Sequence, residues 1–357
     1  MSHVHNFSAG PCILPQEVLE QASQAVKSWD DHGLSLVEMS HRSKAFVAAM
    51  EECRALTKEL LGLPNRFDVL YLQGGASLAF LTSAMNFLPE GGQAAYADTG
   101  TWSAKSIKEA KHVGRVNVIT SSKEDNYNHI PDVGNVDADN AYLHITTNNT
   151  IFGTQYAQMP KSNVPLVADM SSDILSRTFD PEPFALIYGG VQKNMGPAGA
   201  VMYAVDRERL GQAGRSIPSY LDFDVQLGKD SMFNTPPVFS VYTTLLTLRW
   251  LKAQGGVAAI QARNEAKSAL LYGEIDRNPL FEGHAKEGSR SHMNATFRLL
   301  DDSHAAAFDS AWNQAHINGL KGHRSVGGYR ASMYNALPLE SVQVLVDVMA
   351  EFERNHG

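Results

Sequence analysis

The feature that most constrains the fold is the alternation of short apolar runs with helical segments between residues 69 and 205. The apolar runs have the length of buried strands, and most end in glycine, proline or polar residues. We predict strands at 69–72, 94–97, 115–120, 141–146, 164–169, 185–188 and 200–205. Because strands that alternate with helices form a mainly parallel sheet covered on both faces, we predict an α/β fold.

The pattern changes near residue 260, where the alternation ends. We predict a small α+β unit with strands at 294–300 and 328–334 and helices at 305–316 and 339–352. The chain of 357 residues is long enough for two domains. We therefore predict a large domain at 16–259 and a small C-terminal domain at 260–357.

Charge and cysteine content narrow the possible partners and location. The net charge of −8 argues against a nucleic-acid or anionic-membrane surface, so an anionic substrate requires a local cluster of cations. Cys12 and Cys53 have no pairing pattern, which favours the reducing cytoplasm. The N-terminus has no basic segment followed by an apolar one, so we expect no signal peptide.

Two neighbouring strand ends carry the chemistry. Lys193 lies in a glycine-rich turn after the strand at 185–188, and Asp169 ends the preceding strand. An ordinary surface lysine is the simpler interpretation of Lys193 alone. Together, however, a lysine that can form a Schiff base and a carboxylate that keeps a pyridine nitrogen protonated are what pyridoxal phosphate needs.

The stretches at 168–172 and 187–199 resemble the phosphoserine aminotransferases, a class V, fold-type I family of pyridoxal-phosphate enzymes. The resemblance covers essentially the whole chain. It implies a large cofactor-binding domain, a small C-terminal domain, and an N-terminal segment at 1–15 that packs near the active site. It also implies that Lys193 and Asp169 are catalytic and hold the cofactor.

Further residues are expected around the cofactor phosphate. The pair Gly74-Gly75 separates a predicted strand from a helix, and free N–H groups at a helix start bind phosphate. We therefore assign Ala76 and Ser77 to the cofactor phosphate. The resemblance implies that Asn234 and Thr235 reach this phosphate from the neighbouring subunit of a homodimer, so that the two active sites are shared.

The resemblance also implies contacts to the cofactor ring. Trp102 matches the position of a stacking aromatic residue, and Thr150 matches the hydroxyl expected near the phenolic oxygen. Gln192, beside Lys193, is a further cofactor contact. At the segment that ends in Thr150, the family often has Asn-Glu-Thr, whereas this chain has Asn148-Asn149-Thr150.

The substrate contacts implied by the resemblance are mainly anion-binding residues. A second anion common to phosphoserine and glutamate explains how one site accepts both. Arg330 matches the arginine that binds the α-carboxylate, and the histidine–arginine pairs match the distal anion site. The expected substrate-binding residues are Ser8, His41, Arg42, His323, Arg324 and Arg330.

The function implied is reversible amino transfer between phosphoserine and 2-oxoglutarate in serine biosynthesis, with pyridoxine biosynthesis as a second candidate pathway. No metal is expected. The alternatives are another class V aminotransferase, such as an alanine–glyoxylate enzyme, or a non-catalytic protein that binds pyridoxal phosphate. A cysteine desulfurase is disfavoured, because no cysteine follows Cys53.

Overall fold

The computed structural model describes residues 4–357, and a seven-stranded sheet forms its centre. The strands are β1 (Phe67–Gln73), β2 (Gln93–Asp98), β3 (Arg115–Ser121), β4 (Asn140–Thr146), β5 (Leu166–Asp169), β6 (Phe184–Gly190) and β7 (Ala200–Asp206). Their order across the sheet is β1-β7-β6-β5-β4-β2-β3. Only β7 runs antiparallel to its neighbours in this sheet. The predicted α/β fold is confirmed, but the predicted alternation with helices is wrong beyond β3, because the connections between β3 and β7 are loops and turns without an α-helix.

Helices cover both faces of this sheet, since each face presents apolar side chains. The helices are α1 (Gln16–Lys27), α2 (Lys44–Leu60), α3 (Ala76–Phe87), α4 (Thr101–Ala110), α5 (Phe223–Leu227), α6 (Val238–Ala253), α7 (Gly256–Arg277), α8 (Ala305–Gln314) and α9 (Leu339–His356). One core lies between the sheet and α1, α2 and α6. A second core joins the opposite face to α3 and α4.

A third core forms at the C-terminal end of the chain. The antiparallel strands β8 (Phe281–Gly283), β9 (Asn294–Leu299) and β10 (Tyr329–Ser332) pack there with α8 and α9. Helix α7 contributes Ile260 to the first core and Leu271 to the third. The predicted boundary at residue 260 therefore falls inside one continuous helix, and the division into two domains stays a prediction.

Short pairings bring distant segments together. His5–Asn6 pairs in parallel with Ile317–Asn318, and Asn148–Asn149 pairs with Thr154–Gln155 in a small hairpin. Of the N-terminal segment predicted at 1–15, residues 1–3 lie outside the described residues. Over residues 4–357, no helix has the length and apolarity needed to cross a bilayer.

Candidate active site

The carboxyl ends of the parallel strands open into a cavity of about 340 Å³. Parallel strands place the residues that follow them at one edge of the sheet, which is where α/β proteins bind ligands. The cavity is lined by Ala9, Gly10, Gly75, Ala76, Ser77, Trp102, Asn148, Thr150, Ile151, Asp169, Ser171, Ser172, Gln192, Lys193, His323 and Arg330. The strand-end residues predicted for the cofactor thus share one cavity with two of the predicted substrate residues.

Lys193 follows β6 and is 9% exposed. Its Nζ donates a hydrogen bond to Thr150 Oγ1 at 2.7 Å. Burial lowers the pKa of Lys193 to about 8, against the opposing effect of the Asp169 charge, and Arg330 lowers the pKa further. An amine with a pKa near neutrality can both accept and return a proton.

Asp169 ends β5 and is 4% exposed. Burial raises the pKa of its carboxyl group, while hydrogen bonds from Ser171 lower it. These bonds come from Ser171 N–H at 2.9 Å and Ser171 Oγ at 2.6 Å, and both reach Oδ1. No hydrogen bond from the described part of the chain reaches Oδ2, so this oxygen can accept one from a ligand.

The start of α3 supplies free backbone donors. The N–H groups of Leu78 and Ala79 both turn back to the Gly75 carbonyl. Those of Ala76 and Ser77 have no partner inside the helix, because helix geometry provides none. Gly74 makes the turn possible: its φ is +108°, and a Cβ there would lie 2.9 Å from Leu78 Cδ2.

Trp102 lies in the first turn of α4, and hydrogen bonds to the Asp98 carboxylate hold this turn in place. The Asp98 carboxylate accepts hydrogen bonds from Ser103 Oγ at 3.2 Å and from Tyr127 OH at 3.2 Å. Among the described residues, the buried Trp102 Nε1 has no hydrogen-bond partner. Trp102 lines the cavity at the position that the resemblance assigns to a stacking aromatic residue.

Asn149, where the chain departs from the family pattern, is a buried structural link. Its Oδ1 accepts a hydrogen bond from Thr99 Oγ1 at 3.2 Å, and its Nδ2 donates to Thr154 Oγ1 at 3.1 Å. Asn149 therefore ties the segment before α4 to the hairpin that carries Thr150.

Two further polar side chains, Arg330 and His323, line the cavity. Arg330, on β10, donates through Nη1 to the Thr150 carbonyl at 3.4 Å. Its buried Nε has no partner in the described part of the chain. His323 Nδ1 accepts the Ser325 N–H at 3.2 Å, which assigns the ring proton to Nε2. Burial lowers the pKa of His323, and the charges of Arg330 and Arg324 lower it further.

Other predicted residues lie outside the cavity lining. Arg42, Arg324, Asn234 and Thr235 are exposed, whereas Ser8 and His41 are half-buried; none lines the cavity of this chain. The Thr235 carbonyl accepts a hydrogen bond from Gln73 Nε2, which places the turn beside the strand that leads to Gly74. The carboxyl ends of the strands therefore gather most of the predicted cofactor residues, whereas these six, which include Asn234 and Thr235 of the predicted phosphate site, lie on loops and turns.

Several cavity residues escape prediction from the sequence. Asn148 and Ser172 line the cavity and are joined by a hydrogen bond of 2.8 Å. Ala9 and Gly10 also line it, and Cys12 Sγ donates to the Lys193 carbonyl at 2.7 Å. Asn148 lies two residues before Thr150 in the same short segment, so the sequence did indicate its position near the cofactor. Ala9 and Gly10 belong to the N-terminal segment expected near the active site, but no signal singles them out within it, because small residues have no chemistry of their own.

The residues present fit pyridoxal phosphate. Lys193 offers an amine for its aldehyde, Asp169 a carboxylate for its ring nitrogen, and the start of α3 N–H groups for its phosphate. Trp102 adds an aromatic side chain to the cavity lining.

Comparisons with known proteins agree with this geometry. Residues 4–345 match the family model for aminotransferase class-V. The chain is 59% identical to a phosphoserine aminotransferase of Flavobacterium psychrophilum, over 98% of both chains. It is 46% identical to one of Bacillus subtilis, over 100% of both.

Solved structures agree as well. A phosphoserine aminotransferase from Bacillus circulans subsp. alkalophilus superposes with a TM-score of 0.96 at 42% identity, over 99% of both chains. A pyridoxal-phosphate-bound phosphoserine aminotransferase from Trichomonas vaginalis superposes with a TM-score of 0.92 at 35% identity, over 98% of this chain and 100% of that chain. The chain therefore belongs to the class-V aminotransferases and is a pyridoxal-phosphate-dependent enzyme.

Proposed function

We propose that the enzyme transfers the amino group of phosphoserine to 2-oxoglutarate in two half-reactions, as part of serine biosynthesis. The observation that carries the proposal is that Arg330 and His323 line the same cavity as Lys193. Full-length relatives named phosphoserine aminotransferase support the same substrate.

The chain's own residues divide the work. When bound, pyridoxal phosphate supplies an aldehyde that takes up an amine and a ring that withdraws electrons from the substrate's α-carbon. Lys193 Nζ would move a proton between that carbon and the aldehyde carbon of the cofactor, since its lowered pKa of about 8 suits both accepting and donating it. Asp169, oriented by the hydrogen bonds from Ser171, would hold the ring nitrogen of the cofactor at Oδ2, the oxygen left without a partner among the described residues.

Arg330 and His323 orient the substrate. The guanidinium group of Arg330, a residue of the cavity lining, binds the α-carboxylate that phosphoserine and glutamate share. His323 donates its Nε2–H to the distal anion. Arg324 extends the same distal region from its exposed turn, and Ser8 lies beside the carboxylate.

The remaining predicted residues require a second subunit. His41 Nε2 is buried without a partner in the described part of the chain, and Arg42 is exposed. We propose a homodimer in which His41 and Arg42 complete a distal anion site, and Asn234 and Thr235 reach the cofactor phosphate. We also propose a cytoplasmic location, from the unpaired Cys12 and Cys53.

An absorption spectrum tests the substrate. We expect a cofactor band near the visible edge that bleaches with phosphoserine and returns with 2-oxoglutarate. A band that responds to alanine but not to phosphoserine would keep the cofactor and remove the proposed substrate.

Lys193→Ala tests the mechanism. We expect kcat to fall by about 10²- to 10⁴-fold, the usual contribution of a positioned acid–base group. The exposed Lys161→Ala, outside the cavity, serves as the control. Equal turnover of Lys193→Ala and wild type would refute the role of Lys193.

A further inference from the structure

Lys267 is a buried lysine that the proposed mechanism does not use. It lies on α7 and is 1% exposed. Burial lowers the pKa of Lys267 to about 7, and the charge of Arg263 lowers it further, whereas Cys12 raises it. A buried amine is costly compared with an apolar side chain of similar size, so its contacts need an explanation.

The contacts of Lys267 are to one short backbone segment. Its Nζ donates to the carbonyl oxygens of Met333 at 2.9 Å and Tyr334 at 2.7 Å. This segment directly follows β10, the strand that carries Arg330. Lys267 therefore fixes the end of the strand that presents the carboxylate-binding arginine.

Tyr334 links the same segment to other parts of the cavity wall. Its OH donates to the Ala9 carbonyl at 2.8 Å and accepts from Asn294 Nδ2 at 3.3 Å. Asn294 Nδ2 also donates to Ser332 Oγ at 3.0 Å, and Asn294 Oδ1 accepts from Asn148 Nδ2 at 2.8 Å. Ala9 and Asn148 both line the cavity.

We propose that Lys267 and Tyr334 are positioning residues that hold two walls of the α-carboxylate subsite together. One wall is β10 with Arg330, and the other is the N-terminal segment at Ala9. The inference rests on the proposed function, since it takes Arg330 as the residue that binds the α-carboxylate.

Lys267→Met and Tyr334→Phe test the link. Methionine fills a similar volume without a donor, and phenylalanine removes the bond to Ala9, the acceptor for Asn294 and the contact with the Thr150 side chain. Because Arg330 would be misplaced, we expect KM for phosphoserine and for glutamate to rise by the same factor, about 10-fold. We expect kcat per bound cofactor to change less than about 2-fold, since Lys193 and Asp169 are untouched.

A purely structural role predicts a different result. It would lower the melting temperature and the fraction of active enzyme but leave both KM values unchanged, and that outcome in Tyr334→Phe overturns the proposal. A rise in KM for only one of the two amino donors would also overturn it, because the α-carboxylate is common to both.

Lys252→Met serves as the matched control. Lys252 lies on the neighbouring helix α6, is exposed, and pairs with Glu59. We expect its KM values to equal those of wild type. If wild type fails to convert phosphoserine, the proposed function fails, and the comparison of variants continues with glutamate. If wild type converts both donors and neither variant shifts KM, only the positioning role fails.

Discussion

We expect the stability of the fold to depend on pH because His144 is buried. It lies on β4 with 0% of its surface exposed, and its Nε2 shares hydrogen bonds with Tyr188 OH at 2.8 Å and Ser106 Oγ at 3.2 Å. Its ring stacks on Tyr96 at 4.8 Å. Burial lowers the pKa of His144 from 6.5 to about 3.

The direction of the effect follows from proton linkage. The unfolded chain binds a proton at His144 near pH 6.5, whereas the folded protein excludes it until about pH 3. The folded state is therefore favoured above pH 6.5, and this contribution is lost as the pH falls. A pH of about 5 lies about 1.5 pH units below the histidine pKa of the unfolded chain. Proton binding by the unfolded state then lowers the free energy of unfolding by about 2 kcal/mol.

Urea denaturation of wild type and His144→Gln measures this loss. Glutamine removes the titration but keeps a side chain that can bond to Tyr188. Between about pH 7.5 and about pH 5, we expect wild type to lose about 2 kcal/mol more unfolding free energy than the variant. The comparison cancels the other titrating groups. Equal losses, measured where fluorescence and circular dichroism transitions coincide, would refute the assignment of a neutral buried histidine.

Two further predictions concern the site and its support. We expect Asp169→Asn to lower kcat by about 10²- to 10³-fold in steady-state assays with little change in KM, because a fixed charge beside the cofactor ring is lost; an unchanged kcat would contradict this. We expect Gly153→Ala to lower the unfolding free energy by at least about 2 kcal/mol, because φ is +72° and a Cβ would lie 2.7 Å from the Asn294 carbonyl. Gly134→Ala is its control in the same urea titration. It has φ +57° and nothing within 4 Å of the added Cβ, so only the strain of about 1 kcal/mol remains; equal losses in both variants would exclude the steric explanation.

The sheet could be predicted because most of its strands are apolar runs of their own; β3, with the sequence RVNVITS, is the partly exposed exception. Helix α7 was missed, although it is 22 residues long. Its buried stripe includes the polar residues Asn264 and Lys267 between Ile260 and Leu271. Polar residues at buried positions hide the helical period, since the pattern depends on an apolar stripe. The tertiary hydrogen bonds that permit this burial are not visible in the sequence.

The residues of the site also fall into two groups, those that the local sequence indicates and those that only the structure reveals. Lys193 and Asp169 were recognisable because a charged residue at the end of an apolar strand is unusual. The bond between Tyr334 and Ala9 joins residues 325 positions apart, and no local pattern encodes it. The role of Asn149 also required the structure, since its partners lie on two different elements.

The placement of these residues implies that cofactor binding and substrate binding differ in robustness. Lys193 and Asp169 are buried at the ends of core strands, and Ala76 begins a helix packed on the sheet. Arg324 lies on an exposed turn, and Arg330 depends on a strand end fixed by side chains from distant segments. Local opening costs least where few buried contacts hold a segment. Moderate urea should therefore raise KM for amino donors before it releases the cofactor, and the opposite order would show that the strand ends are the less stable part of the site.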